Sequence, residues 1–170
     1  MNIIYEGRII KVFTKEITFK DGHSSTYEFV EHKPSVALIP IIEDKIVLVE
    51  QYRAAVEKKC LEIPAGLVES DENPIEAARR ELEEETGYYA EDIIELLSAF
   101  SSPGFSTEKT HFFLAKKLKK TQQKLDPDEE INVKLFSIDK LMAMIKKGEI
   151  QDGKTIISVF LAFQSLNGKL

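Results

Sequence analysis

Four glutamates crowd into one short segment near the middle of the 170-residue chain. Glu81, Glu84 and Glu85 are spaced three and four residues apart, so a helix would place them on one face, whereas Glu83 would project elsewhere into solvent. Three carboxylates on one rigid face repel one another and suit a hard divalent cation such as Mg²⁺ or Mn²⁺. The alternative is a solvated acidic surface on which Arg80 pairs with Glu84. The spacing therefore favours either a metal site or an exposed helix face.

The residues around these glutamates predict the helix that would carry them. Asn73 is suited to cap its start, Pro74 to occupy the first helical position and Glu76 to complete a capping box. Gly87 supplies the matching stop signal. The glutamates then lie in the last turns, where the helix dipole disfavours negative charge. A cation is therefore expected beside this end of the helix.

A longer motif surrounds the helix, running from Gly66 through Glu72 to Tyr88. It reads G-x5-E-x7-R-E-U-x-E-E-x-G-U, where U is a bulky apolar residue, and all seven fixed identities are present. Seven such matches would coincide by chance about once in 10⁸ windows. The motif resembles the Nudix box, although Tyr88 fills a slot that is usually aliphatic. This resemblance implies a loop–helix–loop that presents divalent cations to a nucleoside diphosphate joined to another moiety.

The same resemblance implies a role for each residue of the box. The implied metal ligands are the carboxylates of Glu81, Glu84 and Glu85 and the backbone carbonyl of Ala65. Arg80 is implied to orient these carboxylates through ion pairs, and Arg80, Glu81 and Glu85 are implied to act in catalysis. Glu72 either braces the loop or contacts a cation through water. The implied cofactor is Mg²⁺, in two or more ions, with Mn²⁺ as a possible substitute.

Features outside the box resemble the ADP-ribose pyrophosphatase branch of the Nudix family. Pro103 follows Gly87 by sixteen residues, and the segments Glu50-Gln51-Tyr52-Arg53 and Leu61-Glu62-Ile63-Pro64-Ala65-Gly66 are similar to that branch. The resemblance implies hydrolysis of ADP-ribose to AMP and ribose 5-phosphate. Alternatives are another substrate, such as an ADP-sugar, GDP-mannose or a dinucleoside polyphosphate, and a non-catalytic ADP-ribose sensor. The intact acidic motif argues against a sensor.

This resemblance also implies a set of substrate-binding residues. Arg53 would clamp a phosphate, because a guanidinium matches phosphate oxygens in a bidentate way. The other candidates are Tyr27, Phe29 and Phe19 for stacking on adenine, Glu28 for its exocyclic amine, and Pro103, Gly104 and Glu108 in a loop beside the substrate. The aromatic residues could equally pack within a strand, and Glu108 could equally be a surface residue.

The reaction needs a base to deprotonate the attacking water. The resembled branch implies a glutamate in the loop before the last core strand, which here is the acidic segment 126–132. Glu129 is the first choice because it stands four residues before Val133, in the pattern E-x-U-x-V. Glu130 is the second choice, and a plain acidic loop is the structural alternative.

The remaining sequence predicts an α/β fold. Residues 1–35 read as an antiparallel β-meander, with strands at 9–13, 16–19 and 25–30 and a turn at Asp21-Gly22. Residues 36–170 are predicted to form the Nudix hydrolase domain, an α/β/α sandwich with a mixed sheet. Its expected strands are 36–42, 45–50, 93–100, 110–118 and 133–138, and its C-terminal helices are 139–147 and 155–166. The resemblance implies that the meander forms a homodimer and part of the substrate site.

Composition excludes some classes of function. The net charge of −6 argues against binding nucleic acid through its phosphates. Apolar runs of seven or eight residues, at 36–42 and 156–163, are too short to cross a membrane. A single cysteine, Cys60, cannot form an internal disulfide, and the N-terminus lacks the pattern of a signal peptide. A reducing cytoplasm is therefore expected.

Overall fold

The computed structural model describes residues 1–127 and 129–168. Its strands are β1 (Asn2–Glu6), β2 (Ile10–Thr18), β3 (Ser24–His32), β4 (Ser35–Ile42), β5 (Lys45–Arg53), β6 (Lys58–Glu62), β7 (Ala65–Leu67), β8 (Tyr88–Phe100), β9 (Lys109–Lys120) and β10 (Ile131–Ser137). Its helices are α1 (Pro74–Thr86), α2 (Ile138–Lys146) and α3 (Gly153–Leu166), and a 3₁₀ turn lies at Ala54–Val56.

The strands form two sheets. One is an antiparallel meander in the order β1-β2-β3, and the other has the order β10-β5-β4-β9-β8, with β6 beside β5 and β7 beside β4. Strands β4 and β9 are parallel, whereas the other pairs in the larger sheet are antiparallel. The predicted mixed sheet with an N-terminal antiparallel meander is therefore confirmed.

Strand β4 lies at the centre of the core because nearly every residue in it is apolar. On one face Val36 and Leu38 pack in a cluster with residues of α1, including Leu82. On the other face Ala37 and Ile39 belong to a cluster that contains residues of α2 and α3. This burial on both faces is typical of a strand between two helical layers and confirms the α/β/α sandwich.

Helix α1 begins and ends where its sequence predicts. The Asn73 side chain accepts a hydrogen bond from the Glu76 amide at 3.1 Å, and the Glu76 carboxylate accepts one from the Asn73 amide at 3.1 Å. Gly87 ends the helix in the left-handed conformation, with φ of 64°. Because Leu82 is fully buried against the sheet, the helix is fixed in rotation as well as in position.

Several strands differ from the prediction. The predicted strands at 9–13 and 16–19 are one continuous strand, β2, because no turn-forming residue interrupts the register between Ile10 and Thr18. Strands β1, β6 and β7 were not predicted, and β8 begins at Tyr88, directly after the cap of α1, rather than at Ile93. The unpredicted strands β6 and β7 matter most, because they contain Glu62, Ala65 and Gly66 and immediately precede the loop that leads into α1.

The meander is attached to the loop 101–108 of the larger sheet. The Val30 amide donates to the Phe105 carbonyl at 2.8 Å, and the Thr107 amide donates to the Val30 carbonyl at 3.0 Å. The His32 amide donates to the Thr107 hydroxyl at 3.0 Å. This loop contains Pro103, so the meander is held beside the loop predicted to lie near the substrate.

No helix in the described ranges is long and apolar enough to span a membrane.

Candidate active site

A cavity of about 360 Å³ opens beside the acidic face of α1. We call it the acidic cavity, and its lining residues are Ile9, Gln51, Arg53, Ala65, Gly66, Leu67, Glu69, Arg80, Glu81, Glu84, Glu85, Lys124, Asp126 and Glu129. They come from the connection between β1 and β2, from β5, β7 and the loop after β7, from α1 and from the loop before β10. The fold therefore gathers the predicted metal ligands, one predicted phosphate-binding residue and the first-choice base around one space.

Glu85 is the most deeply buried carboxylate of the acidic cavity, with 4% of the residue exposed. One of its oxygens accepts a hydrogen bond from the Ala65 amide at 3.0 Å. The pKa of Glu85 is raised to about 8, chiefly by burial and then by the negative charges of Glu81 and Glu129, against the lowering effect of this hydrogen bond. Glu85 is therefore a carboxyl whose ionised form needs a cation nearby.

Glu81 lies directly against the backbone of Gly66. A Cβ atom at position 66 would come within 2.0 Å of the Glu81 carboxyl carbon, so only glycine allows this close approach. Burial raises the pKa of Glu81, Arg80 opposes that effect, and the negative charges of Glu84 and Glu129 add to it. The glycine of the motif thus makes room for a carboxylate.

Arg80 connects the acidic face of α1 to the loop before it. Its Nε and Nη2 atoms donate to the two oxygens of Glu72, each at 2.9 Å. Its Nη1 atom donates to Glu81 at 2.7 Å and to Glu84 at 3.1 Å, and Nη2 also reaches the Leu67 carbonyl at 3.0 Å. The hydrogen bonds from Arg80 lower the pKa of Glu72. In this structure Glu72 therefore braces the loop through Arg80.

The donor set of the acidic cavity fits a hard divalent cation. Among residues 1–127 and 129–168, no three acidic, histidine or cysteine side chains already converge on one point. Glu81 and Glu84 are instead turned to Arg80, so holding a cation would require their carboxylates to turn into the cavity. Carboxylate and carbonyl oxygens are the kinds of ligand that Mg²⁺ prefers.

Glu129 lies at the rim of the acidic cavity, whereas Glu130 is exposed and does not line it. The Glu129 amide donates to the Asp126 carbonyl at 3.0 Å, and the Asp126 amide donates to a Glu129 carboxylate oxygen at 3.4 Å. This turn holds Glu129 on the side of the cavity that faces Glu81 and Glu85, close enough for its charge to affect both. The placement favours Glu129 over Glu130 as the base.

Arg53 is held by a carboxylate that the sequence analysis did not assign to the site. Its Nε and Nη2 atoms donate to the two oxygens of Glu62 at 2.8 and 2.9 Å. Lys154 donates to the same carboxylate at 2.5 Å. A charged residue between Leu61 and Ile63 in a strand is the sequence signal that could have identified Glu62 as a buried ion-pair partner.

The predicted adenine-binding residues do not line the acidic cavity. Tyr27 and Phe29 stack beside each other in β3, with ring centroids 6.4 Å apart, and Phe19 lies 6.2 Å from Tyr27. Glu28 lies between them in β3. These residues form an aromatic row on the meander, which is packing within the sheet but leaves Tyr27 exposed.

The loop residues also stand apart from the acidic cavity. Pro103 and Gly104 are exposed at the turn of the loop 101–108. Glu108 lines a different cavity of about 360 Å³, whose other lining residues include Lys154 and Phe100. Within the described part of the chain, the fold therefore brings the predicted metal and phosphate groups together but not the predicted adenine groups.

Comparisons with known proteins agree with this arrangement. The family model of the NUDIX domain matches residues 31–158. The chain is 43% identical over 159 residues to the methanol dehydrogenase activator of Bacillus methanolicus and 35% identical over 159 residues to the ADP-ribose pyrophosphatase of Bacillus subtilis (strain 168). Each match covers 92% of this chain and 86% of the relative.

The fold itself is similar to that of a solved structure. The crystal structure of an ADP compounds hydrolase superimposes with a TM-score of 0.88, covering 99% of this chain and 94% of that chain at 22% identity. At that identity the match establishes the fold alone. The complete acidic motif on α1, the match over residues 31–158 and the two Bacillus relatives together show that this chain belongs to the Nudix family.

Proposed function

We propose that this protein hydrolyses the diphosphate bond of ADP-ribose and releases AMP and ribose 5-phosphate, with Mg²⁺ as cofactor. The observation that carries the proposal is the acidic cavity, where six carboxylates, including those of Glu81, Glu84, Glu85 and Glu129, line one space with Arg53. Carboxylates that hold a cation and an arginine that contacts phosphate are the groups a diphosphate needs. The relative from Bacillus subtilis supports ADP-ribose as the substrate.

In this proposal the residues have separate roles. Glu81, Glu84, Glu85 and the Ala65 carbonyl would hold Mg²⁺, which when bound neutralises diphosphate charge and acidifies water. Glu129 takes a proton from the attacking water, whose oxygen forms a bond to one phosphorus while the bridging P–O bond breaks. The leaving phosphate oxygen departs on the other half of the substrate.

We also propose that the meander forms a homodimer and contributes to the adenine site. Several of its apolar side chains are exposed in the single chain: Ile3 is 47%, Ile4 59%, Tyr5 56% and Tyr27 43% exposed. An exposed apolar surface of this kind is typical of an interface. Pairing would cover it and would bring the aromatic row toward a substrate, whereas Glu28 projects from the other face of β3. Light scattering at micromolar concentration should give the mass of two chains, and the mass of one chain would refute the dimer.

A second candidate function follows from the relative with the higher identity. The methanol dehydrogenase activator is 43% identical to this chain, against 35% for the ADP-ribose pyrophosphatase. The chain could thus raise the activity of an alcohol-oxidising dehydrogenase. Assaying methanol dehydrogenase with the wild-type chain and with Glu85→Gln would separate an effect that needs hydrolysis from one that needs only contact.

The proposed substrate is tested by a panel assay. ADP-ribose, ADP-glucose, GDP-mannose, NADH, diadenosine polyphosphates and 8-oxo-dGTP are each incubated with Mg²⁺ and with EDTA, and the phosphate-containing products are separated. We expect the highest kcat/KM for ADP-ribose, with turnover only in the presence of metal. A higher kcat/KM for another compound would replace the substrate and keep the chemistry, and no turnover of any would contradict the enzymatic function.

A further inference from the structure

Glu62 is a buried carboxylate with no role in the reaction scheme above. It is 3% exposed, at the end of β6 and three residues before Ala65. Its two oxygens accept from Nε and Nη2 of Arg53, and Lys154 donates to one of them. A carboxylate is rarely buried unless it is paired, so this one is held in place by two cations.

The pairing with Glu62 leaves part of the Arg53 guanidinium able to bind another group. A guanidinium has two edges that can each form a bidentate contact, one through Nε and Nη2 and the other through Nη1 and Nη2. Glu62 takes the first edge and leaves the second. Arg53 lines both the acidic cavity and a second cavity of about 510 Å³ that Glu62 also lines, and the charge of Arg53 is close enough to Glu85 to act against the rise in its pKa.

Lys154 is the second cation that holds Glu62, and it donates to the same carboxylate oxygen as Nη2 of Arg53. It lies in the first turn of α3, where its ammonium group is also 3.0 Å from Asp152, the residue that caps the helix through the Thr155 amide. The Ile63 amide donates to the Thr155 hydroxyl at 2.8 Å, which ties the strand end to the same turn. The carboxylate therefore sits on a framework formed by β6 and α3.

The second cation also keeps Glu62 charged. Burial alone would raise the pKa of Glu62, but the hydrogen bonds from Arg53 and the charge of Lys154 outweigh it and lower the pKa to about 2. The carboxylate is therefore ionised throughout the neutral range, as a firm bidentate contact with an arginine requires.

We propose that Glu62 is a positioning residue which, anchored by Lys154, orients the guanidinium of Arg53 so that its remaining edge binds a diphosphate oxygen of the substrate. This inference rests on the proposed function, because it assigns the diphosphate to the acidic cavity. It adds to that function a three-residue unit, Arg53–Glu62–Lys154, that spans three separate elements of the fold.

The test is a comparison of Glu62→Gln with wild type in steady-state kinetics. Glutamine keeps one acceptor for Arg53 but loses the charge and the second acceptor, so the guanidinium is released from its fixed orientation. We expect kcat/KM for ADP-ribose to fall by about tenfold or more, chiefly through KM, since the diphosphate contact exists before the reaction begins. The Mg²⁺ concentration for half-maximal rate should stay within about twofold, because the metal ligands are intact.

Two controls separate positioning from a general structural effect. Glu50→Gln removes another ion-paired glutamate of the same sheet, 2.6 Å from Lys134, and should leave KM unchanged. Glu62→Asp keeps the charge and should recover part of the affinity. A Glu62→Gln enzyme with wild-type KM, or a Glu50→Gln enzyme with the same defect, would overturn the proposal.

A double-mutant cycle tests whether Glu62 acts through Arg53. In an Arg53→Met background, adding Glu62→Gln should change kcat/KM by less than about twofold, because the group being oriented is gone. Independent, multiplicative losses would overturn the proposal. If Glu62→Gln does not fold, Lys154→Met leaves the Arg53–Glu62 contact in place and should raise KM by about threefold, whereas an unchanged KM would count against the unit.

Failure of the substrate assignment can be told apart from failure of this inference. If another compound of the panel is the better substrate, the same comparison of KM values is made with that compound. If the wild-type protein turns over none, calorimetry with ADP-ribose and Mg²⁺ replaces kinetics, and Glu62→Gln should weaken Kd by about tenfold. An equal Kd, or no binding by the wild-type protein, would overturn the inference.

Discussion

Replacing Glu85 by glutamine should stabilise the metal-free protein while it removes most of the activity. The carboxyl is 4% exposed, and its pKa is raised to about 8, first by burial and then by Glu81 and Glu129. Glutamine is nearly the same shape, keeps an acceptor for the Ala65 amide and carries no charge. The substitution therefore removes a buried ionisable group, and with it the repulsion by Glu81 and Glu129, without opening a cavity.

The size and sign of the effect follow from the pKa difference between the folded and the unfolded chain. An unfolded carboxyl has its ordinary value of 4.5, so between about pH 4.5 and about pH 8 the unfolded state releases this proton and the folded state retains it. Folding stability from Glu85 therefore falls as pH rises through that window. At pH 7, which lies 2.5 pH units above the unfolded pKa of 4.5, this difference corresponds to about 3 kcal/mol of folding free energy in favour of Glu85→Gln.

The assay is urea unfolding in EDTA at pH 5 and pH 8, at one fixed protein concentration. The variant should gain on the wild type as pH rises and should lose that advantage when saturating Mg²⁺ is added, because the metal stabilises only the ionised carboxylate. With Mg²⁺ present, kcat should fall by about 10²-fold or more.

Glu83→Gln is the matched control, since Glu83 lies on the same helix, pairs with Lys124 at 3.7 Å and does not line the acidic cavity. It should show neither effect. A Glu85→Gln protein that is no more stable than wild type at pH 8 without metal would refute the electrostatic reasoning. Near-normal turnover by that variant would refute its assignment as a metal ligand.

Three further predictions concern other parts of the site. Gly66→Ala should lower kcat/KM by about tenfold or more and raise the Mg²⁺ requirement, because the new Cβ would displace the Glu81 carboxylate, and unchanged metal titrations would refute the close approach. Glu129→Gln should lower kcat by about 10²-fold with Glu130→Gln within about twofold of wild type, and the reverse order would move the base to Glu130. Urea unfolding should show that wild type is more stable than Glu62→Gln, with the full difference present above about pH 4.5 and lost toward pH 2. The reason is that folding lowers the pKa of Glu62 to about 2. A difference in stability that does not change with pH would contradict that pKa.

The parts of the fold that were predictable from the sequence are those specified by local signals. Asn73 and Gly87 mark the ends of α1 because a helix cap needs only a few neighbouring residues. The continuous apolar run of β4 predicts a strand buried on both faces. The unpredicted strands are short or amphipathic: β6 contains two lysines and β7 only three residues, so their pairing partners on β5 and β4 decide their structure.

The same distinction applies to the site. The spacing of Glu81, Glu84 and Glu85 could be read from the sequence because a helix fixes which residues share a face. The contact between Lys154 and Glu62 could not, because the two residues are 92 positions apart and meet only when α3 packs against the sheet. The aromatic row around Tyr27 was predicted as a substrate surface, and its role stays a prediction that depends on a second copy of the chain.

The most direct test of the proposed hydrolysis is the product analysis of ADP-ribose with wild-type and Glu85→Gln proteins, each with Mg²⁺ and with EDTA. We expect equal amounts of AMP and ribose 5-phosphate from the wild type with Mg²⁺, none with EDTA, and about 10²-fold slower release by the variant. Turnover that persists in EDTA, equal rates for both proteins, or no release of AMP under any condition would contradict it.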